Sequence, residues 1–195
     1  MEIKLSQLTS FKPIKLKNLS AEYDGTSVVF NSGNERAIVV LKNNKISQVN
    51  HFMDDKEIIV KTSTKSLTVG ERHFQRNVDH FLIKGSHQNN LMRIGQTFHA
   101  SEGGTWSSLP HEFENFPEPG FEELFFYLLS GGSCRAVQVG KGMLHDGENI
   151  DSAWIVRDKE FSQIPMGYHP VVGEPDVHVS YIWCYLCTKD EWEKV

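Results

Sequence analysis

Apolar residues in this chain recur with the two-residue period of strands far more often than with the 3.6-residue period of a helix. Short runs rich in Val, Ile, Phe and Tyr are separated by Gly, Asn, Asp and Pro, the spacing expected of a barrel or sandwich. The pattern predicts strands over residues 27–30, 37–41, 45–49, 57–62, 66–69, 80–84 and 91–100. It predicts stronger, more buried strands over 123–129, 135–139, 152–157 and 178–186. Leu41-Lys42-Asn43-Asn44-Lys45 reads as a hairpin turn, because Asn tolerates the left-handed backbone that tight turns need. The expected fold class is therefore all-β.

Glycines, prolines and aromatics become denser from about residue 95, which divides the chain into a β-rich part over 1–95 and a second over 96–195. No low-complexity linker separates them and no internal repeat is evident, so the 195 residues are expected to pack as one body. Charge narrows the function classes. Acidic residues outnumber basic ones by 25 to 20, for a net charge of -5, and such a surface does not track nucleic-acid phosphates. Residues 1–8 lack the apolar core of a secretory signal, and no segment approaches the roughly 20 apolar residues of a membrane span. Three cysteines, Cys134, Cys184 and Cys187, fit a reducing compartment better than a disulfide scaffold, so a cytoplasmic location without membrane or nucleic-acid partners is expected. Cys184 and Cys187 form a CxxC, but no second pair completes a zinc knuckle, and their aromatic neighbours suggest two small hydrophobes in or near a core strand.

Candidate chemistry lies in the second half. His111 follows Pro110, where a surface histidine beside a strand start competes with a ligand as the explanation. Glu123 opens an apolar strand and shares a two-residue period with Phe125 and Tyr127, so either all three point into a barrel or all three face solvent. An inward carboxylate requires a cation or hydrogen-bond donors. His169 follows a Pro165-Met166-Gly167 turn, where Gly frees the backbone to bend and Pro fixes the approach of the strand. A His at one strand start, a Glu on the next and a His after such a turn can converge inside a small β-barrel. Imidazole and carboxylate donors of this kind suit a first-row divalent ion with open positions for water and substrate oxygens. Glu114 or His99 would be a fourth ligand if the strand bends. His51, His73, His80, His87, His145 and His178 show no ligand spacing and are read as structural or exposed.

Three motifs in order, Trp106-Ser107-Ser108-Leu109-Pro110-His111, then Glu122-Glu123-Leu124-Phe125-Phe126-Tyr127, then Val156-Arg157-Asp158 followed by Pro165-Met166-Gly167-Tyr168-His169-Pro170, carry a family resemblance. Over residues 93–187 the chain resembles the cupin family of 5-deoxy-glucuronate isomerase, an enzyme of inositol catabolism, and its relative 4-deoxy-L-threo-5-hexosulose-uronate ketol-isomerase. The resemblance implies a cupin fold, a double-stranded β-helix or jelly-roll barrel. The arrangement would be bicupin-like, with a degenerate N-terminal half and the metal site in the C-terminal barrel. Its metal positions would fall on His111, Glu123 and His169, and its second histidine on Phe113. The implied cofactor is a divalent metal ion, zinc foremost, with manganese, nickel or iron as alternatives. The implied reaction is aldose to ketose isomerisation of a sugar acid, with Glu123 relaying the proton and Tyr127 stabilising the oxyanion. Gln138 and Arg157 align with polar positions of the family and would bind substrate, the planar Arg fork matching a carboxylate. A homodimer is also implied. The rival reading is a non-catalytic cupin that binds a carbohydrate or small acid, its metal site degraded at Phe113 and without a cofactor.

Overall fold

The computed structural model describes residues 16–54, 56–71, 75–87, 89–100 and 122–187. Five strands, β1 (Ser20–Tyr23), β2 (Ser27–Ser32), β3 (Glu35–Lys42), β4 (Lys45–Met53) and β5 (Lys56–Val60), form one antiparallel sheet in chain order. The turn between β3 and β4 is the expected one: Lys42 pairs Lys45, and Asn43 and Asn44 both take left-handed backbone, with φ of 53° and 57°.

The chain continues through β6 (Lys65–Val69), β7 (Arg76–Leu82), β8 (Met92–His99), β9 (Glu122–Ser130), β10 (Arg135–Met143), β11 (Asn149–Arg157), β12 (Phe161–Ile164), β13 (Met166–Tyr168), β14 (Val171–Gly173) and β15 (His178–Leu186). A six-stranded sheet runs in the order β12-β9-β15-β8-β7-β6. In the four-stranded sheet, β10 pairs β11 along one edge and β13 and β14 along the other. The architecture is all-β, as expected. The strands not anticipated are β1, β12, β13 and β14, which are only three or four residues long, too short to show a period. β8, which contains residue 95, pairs with β15 from Met92 to Phe98. Sheet membership changes between β5 and β6.

The six-stranded sheet is buried on both faces around β9 and β15. Phe125, Tyr127, Leu129, Tyr181, Trp183 and Tyr185 face the four-stranded sheet, meeting Ala136, Trp154, Val156, Met166 and Val171. The alternate residues Leu124, Phe126, Leu128, Ile182, Cys184 and Leu186 face the five-stranded sheet and meet Val28, Phe30, Ala37, Val39 and Val49. Burial on two sides explains why β9 reads as an apolar run without alternation. Each such side chain contributes about 1.5–3 kcal/mol by leaving water. Cys184 and Cys187 are buried in these two cores and form no disulfide, Cys184 within β15 and Cys187 just after it, and burial pushes the Cys184 thiol well above its usual range. Among the described residues no helix is long and apolar enough to cross a membrane.

A polar chain ties the first sheet to the second. Glu35 of β3 accepts from the backbone amide of Met92 at 3.0 Å and from that of Leu91. His51 of β4 places Nε2 3.2 Å from the Glu35 carboxylate and Nδ1 3.1 Å from His87 Nδ1. All three side chains are buried. Burial pushes the Glu35 carboxyl up, but the donors from His51, Leu91 and Met92 outweigh it and hold the group below its ordinary value of 4.5. An acid with a depressed folded pKa adds stability that is present above its unfolded pKa and lost as pH falls through the folded one. Urea midpoints are therefore expected to drop below about pH 4.5. In His51→Ala, stability falls by about 3 kcal/mol or more, since half of a buried pair is left behind. The acid loss due to Glu35 also shrinks in that variant, because without His51 the folded pKa rises toward or past the unfolded one, and an unchanged acid profile would contradict the assignment.

Candidate active site

Two adjacent carboxylates at the start of β9 have opposite surroundings. The Glu122 carboxylate accepts from the backbone amides of Lys17, Asn18 and Leu19 and from the Asn18 side chain, all within 2.8–3.1 Å. It anchors the entry to β1. Glu123, one residue on, turns to the inner face shared with Phe125 and Tyr127, between its sheet neighbours Ile164 and Tyr185. It is 4% exposed, and its Oε2 has no hydrogen-bond partner among the described residues. Burial alone pushes its carboxyl up to about 8, so in the protein by itself the group is largely protonated at neutral pH. Of the two expected orientations, the inward one is realised.

His169 is held by the turn that precedes it. Gly142 of β10 pairs Gly167 of β13 so closely that a Cβ on Gly167 would stand 2.6 Å from the Lys141 carbonyl oxygen, and Gly167 takes φ of +119°. Only glycine satisfies both conditions. The imidazole Nδ1 lies 2.6 Å from the Gly167 carbonyl oxygen. A carbonyl can only accept, so Nδ1 carries the proton and Nε2 is the acceptor nitrogen of the neutral ring. The ring meets Phe125 edge to face at 5.8 Å.

Phe125 thus contacts His169 and shares its strand face with Glu123. Tyr127 continues that face; its hydroxyl lies 2.7 Å from Gln138 Oε1, and burial raises its pKa well above 10. Gln138 Nε2 donates to the backbone carbonyls of Val139, His169 and Pro170. Glu123, Tyr127, Gln138 and His169 are therefore all buried on or beside one inner wall. Arg157 is not brought to it. It ends β11 with its side chain 57% exposed and an ion pair to Glu160. His111, Phe113 and Glu114 lie outside the described residues. Among the described residues no three His, Cys, Asp or Glu side chains cluster to hold an ion; Glu123 and His169, the expected ligands that lie among those residues, are both buried. His99 ends β8, with its ring 6.2 Å from that of Tyr181. Sequence reasoning missed the Gln138 bonds to carbonyls thirty residues away, since no local spacing reports a side chain filling a gap in a sheet. It also missed the buried Glu35, His51 and His87 chain, whose members stand far apart in sequence.

A model of the KduI/IolB family matches residues 23–195. The chain is 30% identical over 116 residues to 5-deoxy-glucuronate isomerase of Bacillus subtilis, a match covering 57% of this chain and 41% of that enzyme. It is 29% identical over 138 residues to the protein of the same name from Shouchella clausii, covering 63% and 49%. The chain thus spans less than half the length of these curated relatives. Among solved structures it is similar to an oxalate oxidase, at 14% identity and TM-score 0.46 over 92% of this chain and 78% of that one. It is also similar to a cupin 2 conserved barrel domain protein from Rhodopseudomonas palustris, at 11% identity and TM-score 0.39 over 65% and 73%.

The Glu123 environment predicts a pH effect. A carboxyl whose folded pKa is raised binds more protons folded than unfolded between about 4.5 and 8, so stability falls as pH rises across that window. The full effect is roughly 5 kcal/mol. Denaturant midpoints of the metal-free protein should decline from pH 5 toward pH 8 in this proportion, and Glu123→Gln, neutral throughout, should remove that decline. Equal slopes in the two proteins would show that Glu123 is not the buried proton.

Proposed function

The chain belongs to the KduI/IolB family, and on that premise we propose that it is a metal-dependent isomerase of a sugar acid, interconverting aldose and ketose forms. The relatives named 5-deoxy-glucuronate isomerase support the sugar-acid class. The observation that carries the reading is the buried, unpartnered Oε2 of Glu123 on the wall that also holds His169. Burying a carboxyl without donors is costly unless a cation or a transferable proton occupies the site. The residues present fit a divalent ion: Glu123 offers an oxygen, His169 a neutral Nε2, and His111 is the third ligand of this reading. A bound ion of this kind would polarise a carbonyl and its neighbouring hydroxyl.

Isomerisation moves a proton between adjacent carbons through an enediol. A carboxyl poised at about 8 can take up and release such a proton near neutral pH, where general acid–base catalysis is most effective. The aromatic wall of Phe125, Tyr181 and Trp183 excludes water from that exchange. Tyr127 directs its proton to Gln138, so in this reading it shapes the wall and does not act as the oxyanion donor. Three cysteines outside any disulfide support a reducing, cytoplasmic setting.

Phe113 specifically favours a second reading, a binding protein for a carbohydrate or small acid, since phenyl replaces imidazole at the family's second histidine position. Elemental analysis of protein purified without chelator separates the two. The isomerase reading expects stoichiometric zinc, manganese, nickel or iron, lost in His169→Ala, and incorporation of solvent deuterium into glucuronate or galacturonate. Metal-free folded protein that exchanges neither acid would sink it in favour of the binding module.

A further inference from the structure

The side-chain amide of Gln138 can sit only one way round. Nε2 is 2.8 Å from the carbonyl oxygens of Val139 and His169 and 3.1 Å from that of Pro170, and carbonyls only accept, so the nitrogen faces them. Oε1 is left toward Tyr127, whose hydroxyl must then be the donor across 2.7 Å. Gln138 and Tyr127 are both fully buried.

The location of this amide explains its use. β10 pairs β13 through Tyr168 opposite Lys141 and pairs β14 through Val171 opposite Gln138, with His169 and Pro170 between the two short strands. Pro170 has no N–H to give to the ladder. Its carbonyl still accepts from Val139 N at 2.8 Å, and the Gln138 amide supplies further donors to this break from within the barrel. The backbone it grips is that of His169, whose ring is itself fixed to the Gly167 carbonyl two residues before.

We propose that Gln138 is a positioning residue: its amide, oriented by the Tyr127 hydroxyl, locks the His169–Pro170 backbone and thereby fixes the His169 imidazole in its Nδ1–H form with Nε2 as the ligating nitrogen. This rests on His169 being a ligand, as proposed above. It replaces a substrate contact for Gln138 with an indirect role. Partners that orient a ligating imidazole commonly change metal affinity by tenfold to a hundredfold when removed.

The test uses the full-length protein and four forms of it: wild type, Gln138→Met, Tyr127→Phe and Gln96→Met. Gln96 is the matched control, a second buried glutamine whose amide bonds Asn44 O at 2.8 Å, Ser180 Oγ at 2.9 Å and the Ile46 amide at 2.8 Å on the other face of the sheet. Nitrogen-15 NMR of the metal-free protein reads the His169 tautomer, and cobalt titration reads affinity. Wild type and Gln96→Met should show the Nδ1–H tautomer and equal cobalt affinity, even where Gln96→Met lowers the melting temperature. Gln138→Met should show mixed tautomers and cobalt binding weaker by about tenfold or more; Tyr127→Phe, which keeps the amide, should shift in the same direction by less. Wild-type tautomer and affinity in Gln138→Met would overturn the proposal, and if that variant does not fold, an unshifted Tyr127→Phe does so. A fixed tautomer lost only in the Gln138 and Tyr127 variants, in a protein that takes up no cobalt, would uphold the positioning role while removing the metal reading it began from.

Discussion

Burial of β9 and β15 on both faces is the constraint from which the rest follows. A strand covered on one side can send a charge to water by alternating; a strand covered on two sides cannot. Every polar group on these strands must then find its partner inside the protein, or remain neutral. Glu122 and Glu123 show the two outcomes side by side. On the outer face Glu122 closes a ring of backbone amides from residues 17–19 and thereby fixes the start of the first sheet. On the inner face, among the described residues, Glu123 has apolar and aromatic walls beside it, and its proton stays on to about pH 8.

The same constraint organises the polar groups around that wall. Gln96, Gln138 and Glu35 each sit where a sheet must be joined to something other than a neighbouring strand. Gln96 holds the Asn43-Asn44 turn against the second sheet, Glu35 ties β3 to the start of β8, and Gln138 bridges the break at His169 and Pro170. In each case a side chain supplies the hydrogen bonds that pairing cannot, which is how a buried irregularity avoids orphaned backbone groups. The turn with Gly167 depends on this. Its close approach to Lys141 fixes the path of the chain, but the amide of Gln138 fixes where the histidine backbone comes to rest.

Strand positions were legible in the sequence wherever a run was long enough to show its period. Residues 178–186 and the turn at Asn43-Asn44 match expectation to the residue. The short strands after Ile164 were not legible, because Pro165, Gly167 and Pro170 read as loop chemistry whether or not a ladder forms around them. Glu123 was legible as an alternative between inside and outside, since period two couples it to Phe125 and Tyr127; only the packing of Trp154 and Tyr181 against that face decides it. The role of Arg157 was not legible, because whether the last residue of a strand points to a barrel mouth or to solvent depends on the turn that follows. Here Glu160 in that turn accepts both its amide and its side chain.

The protonation of Glu123 bears directly on how such a site can bind anything. Where burial alone holds a carboxyl neutral up to about pH 8, ionising it in place requires a positive charge beside it. Binding a cation and losing a proton are then one event, and each opposes the other below that pH. A neutral carboxyl offers a donor and an acceptor in the manner of an amide, suited to a sugar hydroxyl, whereas an ionised one offers only acceptors. The wall around Glu123 therefore links the two functional readings by a single equilibrium. In the proposed readings, which species occupies the carboxyl, a proton or a metal ion, separates binding of a sugar acid from movement of its protons.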